Sequence, residues 1–193
     1  MKTILKQITG VFTIALLTFS FTTLKEVKKT INTTKSTLEW KGYKVTGSHN
    51  GTITIKSGFL TFDNDKLTGG SVTIDMASIN TTDLSGDYKN NLDGHLKSDD
   101  FFGVKKFPTA TLVFKKVKTS GKNAYDVKAD LTIKGITKPV KFKISVYGKK
   151  ATASLKVDRT QFNVRYGSAS FFDNLKDKAI YDEFDLVADL ELN

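Results

Sequence analysis

The chain has 193 residues, no cysteine and a formal charge of +10. One domain is the natural division of that length, and the lack of cysteine excludes disulfides, iron–sulfur clusters and a thiol nucleophile. The charge is uneven, with twelve lysines and two aspartates over Lys115–Lys156 but four basic and eight acidic residues from Val157 onward, so the two halves can pair across a sheet and net charge alone does not indicate a nucleic-acid partner.

Residues 1–22 read as a secretory signal peptide. Lys2 and Lys6 precede a 14-residue apolar run, Ile8–Phe21, which is short for a membrane span of about 20 residues. Small residues at Thr18, Ser20 and Thr22 suit cleavage nearby. No cysteine follows, which excludes a lipid anchor on that residue. Residues 23–35 form a polar lead-in, and the folded domain is expected over residues 36–193. The expected location is periplasmic or secreted.

From Ser36 the sequence alternates. Leu38 and Trp40 share one parity and Tyr43 and Val45 the other, with a β-bulge expected at Gly42 between them. Asn50-Gly51 reads as a turn, followed by strands over Thr52–Lys56 and Gly58–Asp63, a turn at Asn64-Asp65-Lys66, and a strand over Ser71–Met76. The pattern breaks from Ala77. Leu84, Tyr88, Leu92 and Leu96 then recur every fourth residue, the stripe of a short helix crossed by Gly86 and Gly94. Ser98-Asp99-Asp100 carries the chemistry of a second helix start, and Pro108 opens the next strand.

Alternation resumes at Ala110, Leu112 and Phe114, with a turn over Thr119–Asn123. It continues through Tyr125–Lys134, turns at Gly135-Ile136-Thr137, reopens at Pro139 and runs on through Val140–Tyr147 and Ala151–Asp158. Arg159–Ile180 is irregular, with one or two helical turns expected over Asp173–Ile180, and Tyr181–Leu192 is the last strand. Eight or nine short strands with hairpin-length links imply antiparallel neighbours. Either a sandwich or a closed barrel satisfies one apolar and one polar face; closure removes exposed edges, and eight strands leave room for one small ligand.

One stretch departs from this regularity. His95–Thr111 sets Phe101, Phe102 and Phe107, with Phe114 just beyond, beside Asp99, Asp100, Lys105 and Lys106. Burying each aromatic contributes roughly 1.5–3 kcal/mol, so a solvated loop rarely carries so many. The segment is expected to cover one end of a barrel.

The residues now quoted resemble those of the YceI-like family. The resemblance is carried by Trp40 with Gly47-Ser48-His49-Asn50-Gly51, by His95-Leu96-Lys97-Ser98-Asp99-Asp100-Phe101-Phe102, by Lys106-Phe107-Pro108, by Leu131–Val140 (LTIKGITKPV) and by Asp158-Arg159-Thr160-Gln161-Phe162. It spans Ser36–Asn193. It implies an all-β fold, an extended eight-stranded antiparallel lipocalin-like barrel with a short helical insert. It also implies an exported protein that binds a long polyisoprenoid or similar amphiphile. The family's usual Arg-Asp before the HL element is replaced here by Leu92-Asp93-Gly94.

Binding such a chain needs a dry apolar cavity rather than reactive groups. Twenty buried carbons at ~0.8 kcal/mol each offer roughly 16 kcal/mol, against association costs of ~4–15 kcal/mol. The candidate lining comprises Trp40, Ile53, Phe62, Ile74, Met76, Leu96, Phe101, Phe102, Leu112, Phe114, Leu131, Phe142, Phe162 and Leu186, although packed core is the commoner role for any one of them, since small barrels are often filled by side chains. Arg159 is the head-group candidate; pairing with Asp158 or Asp182 is its other use. His95 with Asp93, Asp99 and Asp100 invites a catalytic or metal reading. With two histidines and no HxH or HExxH spacing, a structural role suits both His95 and His49 better. No cofactor, metal or catalytic residue is expected, nor is a nucleic-acid partner, since no basic-aromatic stripe is present. Lysine faces around Lys128, Lys141, Lys143 and Lys156 are solvated strand faces or a contact to an anionic membrane surface. Phe171 and Phe172 could meet a membrane or a second copy, giving a monomer or a homodimer. The first functional expectation is therefore a non-catalytic carrier or sequestering protein for an isoprenoid-like lipid. The alternative is an envelope stress or structural protein with a packed barrel.

Overall fold

The computed structural model describes residues 26–193; the signal-peptide reading of residues 1–22 lies outside them. The strands are β1 (Val27–Thr30), β2 (Thr37–Lys44), β3 (Gly47–Asp63), β4 (Lys66–Thr81), β5 (Thr109–Gly121), β6 (Ala124–Ile133), β7 (Ile136–Tyr147), β8 (Lys150–Asp158) and β9 (Ile180–Glu191). Helix α1 (Gly86–Lys97) links β4 to β5, and two 3₁₀ turns, Arg159–Phe162 and Lys176–Lys178, interrupt the return to β9. All pairings are antiparallel. The sequence β3-β2-β9-β8-β7-β6-β5-β4 closes through β3–β4 into an eight-stranded barrel.

The barrel is long because β3 and β4 are long, at 17 and 16 residues. At about 3.3 Å per residue each spans more than 50 Å. One strand cannot cover the whole edge of β3. β2 pairs with its first part, Gly47–Thr52, while β1 pairs with Phe59–Phe62. Ile31 then bridges Leu192 at the end of β9, and Asn193 N–H donates to Thr30 O. β1 and β2 thus act as one interrupted strand in a single slot between β3 and β9. The boundary expected at Ser36 is corrected accordingly: polar residues of the lead-in belong to the wall, with only Ile31 deeply buried.

Several turns also move. Asn50-Gly51 is not a turn but lies within β3, and the hairpin turns at Val45-Thr46. Gly51 is there for space rather than for a turn. It faces Trp40 across the β2–β3 pair, and a Cβ on it would sit 2.0 Å from Asn80 O and 2.7 Å from the indole. The expected strands Thr52–Lys56 and Gly58–Asp63 are one strand, kept continuous by register shifts. The turn expected at Gly135-Ile136-Thr137 is a tight Lys134-Gly135 pair with φ of 51° and 73°, the conformation a two-residue hairpin requires. Pro139 therefore lies inside β7, opposite Asp130, rather than opening it. The bulge expected at Gly42 is present between β2 and β9.

Helix α1 starts at Gly86, so Leu84 precedes it, and Tyr88 is 80% exposed. The four-residue stripe is corrected to its C-terminal half. Leu92 and Leu96 pack on the core while the first turn projects past the barrel end. Gly94 does not break the helix. Ser98 ends it instead of starting another: its N–H and hydroxyl both donate to His95 O, at 3.1 and 2.7 Å. Asp93 fixes the helix to the end of β4 by accepting from Thr81 N–H at 2.8 Å and from Lys89.

Candidate functional site: a lidded apolar cavity

Inward side chains of the barrel meet around Leu60, Leu131, Ile144, Val127 and Val157, each 1–2% exposed or less. They do not fill it. An upper cavity of about 100 Å³ lies beneath α1 and the loop after it. A lower one of about 70 Å³ continues toward the opposite end. Ile74, Leu131 and Leu186 line both, so the two chambers adjoin at these residues. Each is of the order of a cavity that stays dry and accepts a benzene-sized ligand.

Nine of the candidate residues line the upper chamber: Trp40, Ile53, Ile74, Met76, Leu96, Phe101, Phe102, Leu131 and Leu186. Leu112, Phe114 and Phe142 line the lower one. Phe62 and Phe162 line neither and are corrected to packed core. Phe62 is buried at the far rim of β3 with the Lys29 ammonium 4.8 Å above its ring. Phe162 is 1% exposed in the 3₁₀ turn after β8. Sequence reasoning missed Ile79, Ala110, Ile133 and Phe184. The alternation already carried this signal for Phe184, which shares a face with Leu186, and for Ala110, which shares one with Leu112.

The lid is the stretch 98–107, and backbone bonds give it a fixed shape. Phe102 N–H donates to Leu96 O, Gly103 N–H to Ser98 O at 2.7 Å and Val104 N–H to Lys97 O. Gly103 takes φ +58° to make that turn. Phe101 and Phe102 meet edge to face at 5.0 Å, and Phe102 meets Phe184 of β9 at 6.4 Å, so the lid touches the barrel wall through aromatic edges. Lys134, in the β6–β7 turn, reaches up and donates to Phe101 O at 2.7 Å. Burial pushes its ammonium down, against the pull of Asp99 and Asp100.

His95 serves the lid through its backbone carbonyl. Its ring packs against Tyr166 at 4.3 Å and Phe101 at 5.6 Å, and its buried Nε2 has no hydrogen-bond partner. His49 Nδ1 meets Asp83 Oδ2 at 2.9 Å outside the cavity. Among the described residues no group of three His, Cys, Asp or Glu side chains could hold a metal ion.

The head-group assignment of Arg159 is corrected. Only 2% of this side chain is exposed, and three of its donors are spent on backbone carbonyls: Nε on Tyr181 O at 3.0 Å, and the two terminal nitrogens on Val164 O at 2.8 Å and Ile180 O at 3.0 Å. Asp182 lies 3.7 Å away, a longer contact. Burial pushes the guanidinium down, opposed by Asp182 and Asp158. The residue braces the irregular segment between β8 and β9, and its edge touches the upper chamber.

The molecule is thus an extended lipocalin-like barrel with two adjoining apolar chambers, the upper one lidded. The chain belongs to the YceI-like family, whose domain model matches residues 29–192. Among solved structures it is similar to BcnA of Burkholderia cenocepacia, at 26% identity and a TM-score of 0.65 over 83% of this chain and 98% of that one. A polyisoprenoid binding domain from Saccharophagus degradans, at 15% identity and a TM-score of 0.57 over 86% of this chain and 98% of that one, shares the fold. A UPF0312 protein of Pseudomonas putida strain W619 is 36% identical over 99 residues, which are 51% of this chain and 50% of that protein. The chain spans about half the length of such curated relatives.

Proposed function

We propose that this chain is an exported, non-catalytic carrier that holds the hydrocarbon chain of an isoprenoid or similar amphiphile along the barrel axis. The observation that carries the reading is the pair of adjoining apolar chambers, the lower lined only by Leu, Ile, Val, Phe and Ala. Two adjoining, largely apolar chambers suit a hydrocarbon chain better than a polar ligand, and every methylene they take from water contributes ~0.8 kcal/mol. A protein sharing this fold is a polyisoprenoid binding domain, which supports the same ligand class. The signal-peptide reading of residues 1–22 supports export. A row of lysines on the outer face, with Lys128 directly opposite both Lys116 and Lys141, supports contact with anionic head groups. Like charges set side by side cost stability unless an anion lies against them.

The test uses Trp40, the single tryptophan of the chain, which lines the upper chamber with its indole N–H on Thr52 O at 3.3 Å. Titrating lipid-free protein with a long-chain isoprenoid quinone should quench its emission to a saturable end point at one quinone per chain. No saturable quenching, with the chambers staying empty of quinone in a co-purification assay, would contradict the proposal.

A further inference from the structure

We infer that the upper chamber opens sideways through the barrel wall at the β2–β9 bulge, and that Gly42 keeps this portal wide enough for an apolar chain to pass. The inference rests on the lipid-binding reading above for what passes, but its geometry stands by itself. Four observations meet at one place.

The first is register. Gly42 of β2 faces Phe184 of β9, whereas Lys44 faces Ile180. Two steps along β2 therefore match four along β9, and Tyr181, Asp182 and Glu183 oppose Tyr43 alone. The one-to-one ladder of the two strands is interrupted there. The second is exposure. Lining residues of the upper chamber that come from β3, β4, α1, the lid, β5 and β6 are all buried; the half-buried or exposed ones, Trp40, Gly42, Tyr43, Ile180, Tyr181, Glu183, Phe184 and Leu186, all belong to β2 and β9. Tyr181 is 55% exposed and still reaches the chamber.

The third is Gly42 itself. It shares the inward parity of Leu38 and Trp40, yet a Cβ built on it meets nothing within 4 Å. Inward positions of a packed barrel do not leave such space. Its φ lies outside the left-handed region, so the backbone does not require glycine; the empty space is what distinguishes the position. The fourth is Arg159. Where strands part, carbonyls lose their ladder partners and a buried one must find another donor. Ile180 O and Tyr181 O, at the start of the gap, are the carbonyls that Arg159 bonds from inside. The guanidinium thus stabilises an opening that would otherwise leave polar groups orphaned.

Two variants test the portal. In the cysteine-free chain, Gly42→Cys supplies a single thiol. A maleimide should modify it in the native protein at least tenfold faster than it modifies Met76→Cys, which lines the same chamber but is 6% exposed. Equal rates would overturn the portal whatever the ligand. Gly42→Phe should plug it, with Trp40 emission as the reporter and an unchanged far-ultraviolet spectrum as the check on folding. Uptake of a long-chain isoprenoid quinone and its release should both slow at least tenfold. Unchanged rates, or faster release from a merely smaller chamber, would refute the portal. If wild-type protein takes up no quinone, the ligand reading fails, and the maleimide rates alone decide whether the opening exists.

Discussion

Ala153→Phe should convert a long-chain binder into a short-chain one. Ala153 lines only the lower chamber, facing inward from β8 beside Ile144 and Ala188. The lower chamber extends along β9 from Leu186, where the chambers adjoin, to Leu190. The four steps between them cover roughly 14 Å along the strand at ~3.4 Å each, or about 10 Å along the axis of a barrel whose strands tilt by about 40°. An extended chain advances about 1.1–1.2 Å per bond, so the chamber is as long as roughly nine extended carbons, which its side chains must move apart to admit in full. At ~0.8 kcal/mol each they contribute about 7 kcal/mol gross. Ordering the chain offsets somewhat more than half of this, leaving about 3 kcal/mol, about two orders of magnitude in Kd. The assay is the Trp40 quenching titration with isoprenoid quinones of long and short tail. The long-tailed quinone should lose about a hundredfold and a tail confined to the upper chamber less than threefold. Equal losses for both tails, or no loss for the long one in a folded variant, would refute the two-chamber reasoning.

Other perturbations separate the brace, the lid, the helix anchor and the outer face. Arg159→Met strands three carbonyls and should cost about 3–5 kcal/mol by urea unfolding; Arg159→Lys should recover little, because an ammonium cannot reproduce the planar fork. Lys134→Met frees the lid carbonyl of Phe101 and should cost about 1–2 kcal/mol, with quinone release from the upper chamber speeding severalfold. Asp93 is pushed up by burial but held below its ordinary value overall by the bonds from Lys89 and Thr81. Its contribution is then present above the ordinary aspartate value, roughly pH 4, and is lost as pH falls through the lowered one. Asp93→Asn should therefore be less stable than wild type at neutral pH, and the gap should narrow on acidification. Replacing Lys116, Lys128 and Lys141 with Gln should abolish salt-sensitive sedimentation with anionic vesicles and leave quinone binding within threefold; retained sedimentation would exclude this row from membrane contact.

The strands and their inward faces were legible because alternation records burial directly. Tyr125–Ile133 and Val140–Val146 were read off with their correct faces. Elements were misplaced where one residue type serves two physical purposes. Gly51 looked like a turn because it follows Asn50, but it is small to admit the Trp40 ring. Pro139 looked like a strand start, but β7 accommodates it opposite Asp130. The polar segment Val27–Thr30 gave no apolar pattern, because β1 completes a wall by backbone pairing while its side chains stay largely in water.

The site divided in the same way. Twelve of the fourteen candidate lining residues face a chamber, since facing inward is a matter of parity. Phe62 and Phe162 are buried as well, but at the far rim of β3 and in the turn after β8, away from both chambers, and no local pattern distinguishes such positions from a cavity wall. Arg159 could not be assigned from sequence, because its partners, Val164, Ile180 and Tyr181, meet it only through the fold of the irregular segment. Gly42 was readable as a bulge, but its position over a chamber required the register of β9.

The most direct test of the central claim is a native mass spectrum of the protein purified from its own cells, followed by solvent extraction. The account predicts one apolar adduct per barrel, released by solvent and built from repeating isoprenoid units or a comparable long hydrocarbon chain. A protein that arrives empty, and stays empty after incubation with isoprenoid lipids of several lengths, would contradict it.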